Sequence, residues 1–438
     1  MDQVDKIISP SWIFVAEEGD RVLQDHSIVV NDGKILDIVP TIDVFSLYEA
    51  SEAYQLTNHL ILPGFINAHS HSAMSLLKGY ADDLPLDTWL NNHIWPAESQ
   101  HVGFDFVKDG SSLAIAEMIK GGTTTFNDMY FFPEATAEVV SKVGIRANIG
   151  LGVLDFATNY ANDPEDYLTK GFAFRDQWRD HKLITTCLAP HAPYTISDKT
   201  FETINTYAEQ LDLGIHMHLH ETSQEVEGSI KEYGVTPIQR MQDLGILGPK
   251  LMAAHCVHVS EADAELLAIN GVSAICNISS NMKLGSGIPD LRQLLNCEIN
   301  VALGTDSSAS NNALDMMREM RSLSLVSKGL NMTSEFLKPA ELIRMATING
   351  AKALGLEEIT GSISKGKRAD IIAINLDTIE SQPCYEPLSS FMYSADRSSI
   401  EYVWIDGNTK LNQGQLVCLD EDEILQKTKI WQSKIKKI

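Results

Sequence analysis

The chain has 438 residues, of which 44% are hydrophobic and 21% charged, values of a globular protein long enough for one large domain and a smaller one. Lys and Arg number 34 against 59 Asp and Glu, a net charge of −25. A surface that acidic repels phosphate backbones and anionic lipid heads, which argues against nucleic acid or a membrane as partner and leaves room for a small ligand in a local cleft. Six cysteines lie scattered without CxxC spacing, the usage of reduced thiols rather than of a disulfide or thiolate-metal framework. The opening MDQVDKIISPSW has no basic segment leading into an apolar run, and no stretch of 18 apolar residues occurs, so the expected setting is cytoplasmic.

Residues 1–62 read as short strands. WIFVAE, RVLQDHSIVV, KILDIV and HLIL carry β-branched residues between the turn signals EEGD (17–20) and NDGK (31–34). After Leu62-Pro63-Gly64 the pattern changes to helix, glycine, strand. SSLAIAEMIKGGTTTFNDM runs a helix into Gly121-Gly122 and a Thr-rich strand. A second such unit has a helix near 198–211, a stop at Gly214 and the strand IHMHL, and two further units end in SAICNIS and INVALGTD. Repetition over about 300 residues predicts a parallel sheet, closed as a (β/α)8 barrel over 63–365. An open doubly wound sheet is the alternative, but no GxGxxG follows an early strand. The segment from Pro339 to Gly355 reads as the closing helix. Beyond it, SISKGKRADIIAINL and SIEYVWIDGN return to strands, so 1–62 and 366–438 are expected to form one composite β-sandwich domain, with a solvated helix at KTKIWQSKIKKI.

Spacing singles out the chemistry among 13 histidines. His69-Ser70-His71 ends the apolar strand ILPGFINA, and residues two apart on a strand face the same side. His216, His218 and His220 repeat that phase, with Glu221 in the following turn; His255 and His258 follow MAA, and Asp306 follows VALGT. Each alone is as well explained by a buried structural residue. Four such strand ends sharing one barrel mouth point instead to a single metal centre.

The motifs LPGFINAHSH, AAHCVH and LGTDSSASNN, in that order, resemble the amidohydrolase superfamily, and the resemblance spans nearly the whole chain. HIWPAE, APHAPYT, HMHLHET and SNMKLGSG are similar to the 5-methylthioadenosine/S-adenosylhomocysteine deaminase family. The resemblance implies one Zn²⁺ per subunit held by His69, His71, His218 and Asp306. Strand four, LITTCLAPHAPYT, offers no acid to bridge a second ion and only Lys182 upstream. His216 and His220 are expected beside the ligands rather than among them, and the role of His258 stays open. The implied reaction is hydrolytic removal of an adenine C6 amino group. In it Glu221 protonates N1, His255 orients the attacking water, and Asp306 relays its proton to the leaving amine.

The resemblance also implies a substrate set of Glu98 for the ribose 2′ and 3′ hydroxyls, His191 at the purine, and Glu221 and Asp306 at the reacting atoms. Ser310 and Asn281 read equally well as mouth residues or as loop caps, and Trp89 and Trp95 either pack over the 5′ substituent or take the core position more common for tryptophan. Between Gly150 and Thr169 the chain has no Lys or Arg to pair with an amino-acid carboxylate, so 5′-methylthioadenosine is preferred over S-adenosylhomocysteine, with adenosine a further substrate. NISSN, where relatives read NPxSN, departs from the family pattern at that loop. The alternative activity is that of a relative acting on a free ring, such as guanine, cytosine or an s-triazine. A homodimer or homotetramer is the expected assembly.

Overall fold

The structure, a computed structural model, describes residues 1–17 and 21–436. The turn expected at EEGD therefore lies mostly outside the described residues, whereas NDGK forms a two-residue hairpin. Asp32 (φ 50°) and Gly33 (φ 71°) turn the chain between His26–Asn31 and Lys34–Pro40, and a Cβ on Gly33 would stand 2.6 Å from the Asp406 carbonyl.

Eight parallel strands follow one another around a sheet in chain order: Phe65–Ser70, Thr123–Asp128, Arg146–Val153, Ile184–Pro190, Ile215–Leu219, Leu251–His255, Ser273–Cys276 and Asn300–Leu303. A parallel bridge between Ser70 and Asp306 joins the eighth strand back to the first, and the Asp306 N–H donates to the His69 carbonyl at 3.0 Å. The expected barrel is thereby present. Its strands read as near-continuous buried runs because both faces are covered. Helices between them start on side-chain caps: Ser197 accepts from Thr200 N–H, and the helix Asp198–Leu211 runs to Asp212, whose left-handed φ of 55° stops it two residues before the expected Gly214.

The chain ends build a second sheet of nine strands among the described residues. Asp2–Phe14 pairs in parallel with the 16-residue strand Tyr48–Pro63, which in turn pairs antiparallel with Ile371–Asn375 from the C-terminal part. The sheet curls so that Val30 and Gly33 meet Gly407, and Ile8, Ile28, Ile61, Ile371 and Trp404 fill the space between its halves. This is the expected union of both ends, built as one mixed sheet. A seven-residue helix, Thr41–Leu47, interrupts the first strands, which strand periodicity alone did not indicate.

By compactness the chain divides into a unit of residues 1–66, 116–125 and 315–419 and a unit of 67–115, 126–314 and 420–438. Two boundaries differ from the expected 62/63 and 365/366. The expected helix from Pro339 to Gly355 is two, Pro339–Met345 and Ile348–Ala353, and groups with the terminal sheet. It breaks because the Ala346 carbonyl accepts from Ile66 N–H at 2.8 Å and the Thr347 hydroxyl donates back to the Ile343 carbonyl at 2.6 Å. The last helix, Glu421–Ile435, is not fully solvated. Trp431 Nε1 donates to Asp109 at 2.9 Å, and Ile435 packs in the cluster that holds Phe106, so this segment belongs to the barrel unit. No helix among the described residues is long and apolar enough to cross a membrane.

Candidate metal centre and substrate cleft

Strand ends carry the site. His69 is the penultimate residue of the first barrel strand and His71 lies just beyond it, their rings perpendicular with centroids 4.9 Å apart. His218 comes from strand five, and Asp306 lies three residues past strand eight with a left-handed φ of 59°. His220, His255 and Cys256 are left-handed too, so backbone strain concentrates at this rim, as it does where geometry serves chemistry.

Ligand atoms of His69, His71, His218 and Asp306 all lie within 4.8 Å of one another. The Nε2 atoms of His69 and His71 each stand 3.3 Å from Asp306 Oδ1. His71 Nδ1 is 2.6 Å from the Met129 carbonyl and His218 Nδ1 is 2.6 Å from the His191 carbonyl. A carbonyl only accepts, so both Nδ1 atoms carry hydrogen, and the two Nε2 atoms are left facing each other across 3.2 Å. Burial pulls His71 down, but Asp306 and the Met129 carbonyl raise it overall, so the His71 ring is the one of the three that most favours a positive charge at this point. His69 Nε2 is buried without a hydrogen-bond partner. Burial pulls the His69 imidazole down to about 4 and His218 well below its usual value, which keeps both neutral as ligands must be. Burial alone would raise Asp306, but the His69 and His71 imidazoles hold it far below the usual carboxylate range. Three imidazoles and a carboxylate around one point suit a divalent transition metal, and the four residues expected from sequence fit it. Lys182 is exposed before strand four and takes no part.

Around this cluster opens a cavity of about 490 Å³. Glu98, His191, Glu221 and His255 line it together with His71, His218 and Asp306. Glu98 sits on the short helix Trp95–His101 after strand one, and the Tyr130 hydroxyl donates to its Oε1 at 2.7 Å. Burial raises the Glu98 carboxyl to about 7, against the lowering by Tyr130 and His71. Burial also raises Glu221, whose Oε1 accepts from the Ser286 hydroxyl at 3.0 Å and whose Oε2 is 3.7 Å from His255 Nε2. The far wall is apolar, with Trp89, Trp95, Leu154 and Phe156, and none of the lining residues is lysine or arginine. Lys170, the next cation after strand three, is turned to the Tyr160 carbonyl and Asp166.

Two residues expected at the mouth lie behind it. Ser310 is 1% exposed and donates to Asp306 Oδ2 at 3.0 Å, and Asn281 Oδ1 stands 2.8 Å from His255 Nδ1. Ser280 joins Ser310 on the same Asp306 oxygen at 2.5 Å. His216 Nε2 is 2.8 Å from His69 Nδ1 and so supports a ligand from below. His220 Nδ1 is 2.8 Å from the His258 carbonyl, its Nε2 accepts from the Ile238 N–H at 3.1 Å, and His258 Nε2 is 2.7 Å from the Ser286 carbonyl. Sequence reading missed Tyr130, Ser280, Ser286 and Glu225. Ser280 and Ser286 both lie within SNMKLGSG, whose resemblance did not single them out, whereas Tyr130 follows strand two and Glu225 opens the helix after strand five, outside any quoted motif.

The amidohydrolase family model matches residues 60–410. The chain is 43% identical over 435 residues to a 5-methylthioadenosine/S-adenosylhomocysteine deaminase of Teredinibacter turnerae, covering 99% of this chain and 98% of that one. It is 38% identical over 401 residues to a 5′-deoxyadenosine deaminase of Methanothermobacter thermautotrophicus, covering 91% and 92%. The crystal structure of an adenosine deaminase from Xanthomonas campestris with bound zinc is 39% identical and superposes with a TM-score of 0.98 over 100% of both chains. With this barrel, this ligand set and these matches in agreement, the chain belongs to the amidohydrolase family and groups with its 5-methylthioadenosine/S-adenosylhomocysteine deaminases.

Proposed function

We propose that the protein catalyses hydrolytic deamination of 5′-methylthioadenosine to 5′-methylthioinosine and ammonia, using one Zn²⁺ held by His69, His71, His218 and Asp306. The observation that carries this reading is a single cavity lined at once by the ligand cluster, by the carboxyls of Glu98 and Glu221, and by an apolar wall free of lysine and arginine. A Zn²⁺ held by these four residues would lower the pKa of a bound water toward neutrality and so make the nucleophile available.

Glu221, whose carboxyl burial shifts toward the protonated form, gives its proton to purine N1, which makes C6 electrophilic. His255, its Nδ1 engaged by Asn281, presents Nε2 to orient the water. Asp306 takes the water proton and delivers it to the departing amino group, while the Ser280 and Ser310 hydroxyls hold its other oxygen. Glu98 accepts the ribose hydroxyls, and His191 binds the purine as a neutral imidazole, its pKa lowered to about 3 by burial.

The apolar wall suits a methylthio or other uncharged 5′ end. The carboxylate of S-adenosylhomocysteine would lie there unpaired, at a large desolvation cost. The name of the Methanothermobacter relative, a 5′-deoxyadenosine deaminase, agrees with an uncharged 5′ end. We place the protein in the cytoplasm, in line with its net negative charge and free cysteines, and infer a homodimer or homotetramer from the family resemblance alone.

The test is a deamination screen following the adenine-to-hypoxanthine change in ultraviolet absorbance. Methylthioadenosine should turn over best, adenosine and deoxyadenosines next, and S-adenosylhomocysteine poorly. Turnover of guanine or cytosine with no purine riboside accepted would overturn the reading.

A further inference from the structure

Glu221 stands at a corner between strand five and the helix Ser223–Tyr233. The strand ends at Leu219, and His220 turns the chain with a φ of 56°, a conformation that a residue with a Cβ holds only when neighbours fix it. The helix starts in the usual way, with the Thr222 hydroxyl accepting from Glu225 N–H at 3.2 Å. In a capping box the carboxylate of Glu225, the third helical residue, would return to the Thr222 N–H. Here it reaches further back. Its Oε1 accepts from His220 N–H at 2.9 Å and its Oε2 from Glu221 N–H at 2.8 Å. Two successive amides converging on one carboxylate form an anion-binding nest, filled by the chain's own side chain.

We propose that Glu225 is a positioning residue for Glu221, its carboxylate locking the His220–Glu221 backbone so that the Glu221 carboxyl stays aimed into the cleft. The inference rests on the reading of Glu221 as the proton donor to N1. Glu225 is not among the cavity-lining residues, so its influence on turnover passes through the residue it holds. Ser286 and His255 meet the Glu221 carboxyl itself, whereas Glu225 fixes the backbone from which that side chain springs. Burial raises the Glu225 carboxyl to about 7, and the two amide donors oppose that rise.

Glu225→Gln keeps the shape but turns an NH₂ toward one of the two amides, and Glu225→Ala removes both acceptors. Displacing a reacting group by about 1 Å can reduce turnover about 100-fold. We expect kcat for methylthioadenosine to fall about 10-fold in the glutamine variant and about 100-fold in the alanine variant. KM should stay within about threefold, and metal content should be unchanged by elemental analysis.

Hydrogen exchange supplies a readout without turnover: amides 220–221 should lose protection in Glu225→Gln while helix 223–233 keeps its own. In a Glu221→Gln background the Glu225→Gln change should subtract nothing further. Equal losses in both backgrounds, a KM that rises as much as kcat falls, or a helix that loses protection throughout would overturn the proposal. If Glu221→Gln turns over like the native enzyme, the proton-donor reading fails and this inference with it. If Glu221→Gln is inactive while Glu225→Gln is fully active, positioning alone is refuted. Should the alanine variant not fold, the glutamine variant decides.

Discussion

Replacing Glu98 by glutamine separates ribose recognition from chemistry and exposes a conflict between function and stability. The side chain keeps its shape and its Tyr130 contact but loses its charge. An ionised carboxylate accepts each ribose hydroxyl more strongly than an amide oxygen by about 1 kcal/mol, and an amide offers only one such oxygen. A loss of about 2 kcal/mol raises KM for ribosides about 30-fold, while free adenine, which has no diol, is unaffected.

Stability moves the other way. The Glu98 carboxyl ionises near 4.5 in the unfolded chain and near 7 when folded, because burial raises it. Between those values the folded state holds the extra proton, so stability falls as pH rises from 4.5 through 7, and the loss is complete above 7. The interval from 4.5 to about 7, at about 1.4 kcal/mol per pH unit, is worth at most about 3 kcal/mol. Glutamine does not ionise and escapes this penalty. The metal-free variant should therefore melt as the native protein does at pH 4.5 and up to about 3 °C higher at pH 8. The assays are steady-state kinetics on methylthioadenosine and adenine, and melting curves at the two pH values. Equal KM changes for riboside and free base, or a lower melting temperature at pH 8, would refute the reasoning.

Gly304→Ala would place a Cβ 2.6 Å from Asn277 Oδ1 and 2.7 Å from the His69 amide nitrogen. About 1–3 kcal/mol of stability should go, together with metal affinity, and an unchanged affinity in a chelator competition would contradict this geometry. His216→Ala removes the partner of His69 Nδ1, and metal affinity should fall about 10–100-fold by the same competition. Zinc added to the chelated protein at about 100 times its dissociation constant should stabilise it by about 2.7 kcal/mol, whereas Asp306→Ala should show no such rise in melting temperature.

Much of the ligand set was legible because parallel barrel strands end on one rim. An apolar run that stops at a histidine or aspartate places that residue at the mouth whatever the loops do, which is why His69, His71, His218 and Asp306 could be grouped from spacing and resemblance. Ser310 and Asn281 were read from the same loops, yet they face the backs of Asp306 and His255, since loop direction depends on what packs beneath it. The charges of the terminal helix by themselves read as a solvated face, but Trp431 and Ile435 give it one apolar stripe that packs in the cluster holding Phe106.

By itself the sequence determined the alternation of strand and helix, the ends at which polar groups emerge, and the lack of Lys or Arg between Gly150 and Thr169. Only the tertiary structure decided which carbonyls fix the tautomers of His71 and His218, that Tyr130 meets Glu98, and that Glu225 clasps the amides of His220 and Glu221. The division has a physical cause. Periodicity records which face of an element is buried, a local property, whereas a hydrogen bond between loops far apart in the chain depends on their approach to within about 3 Å, which nothing in either segment encodes alone.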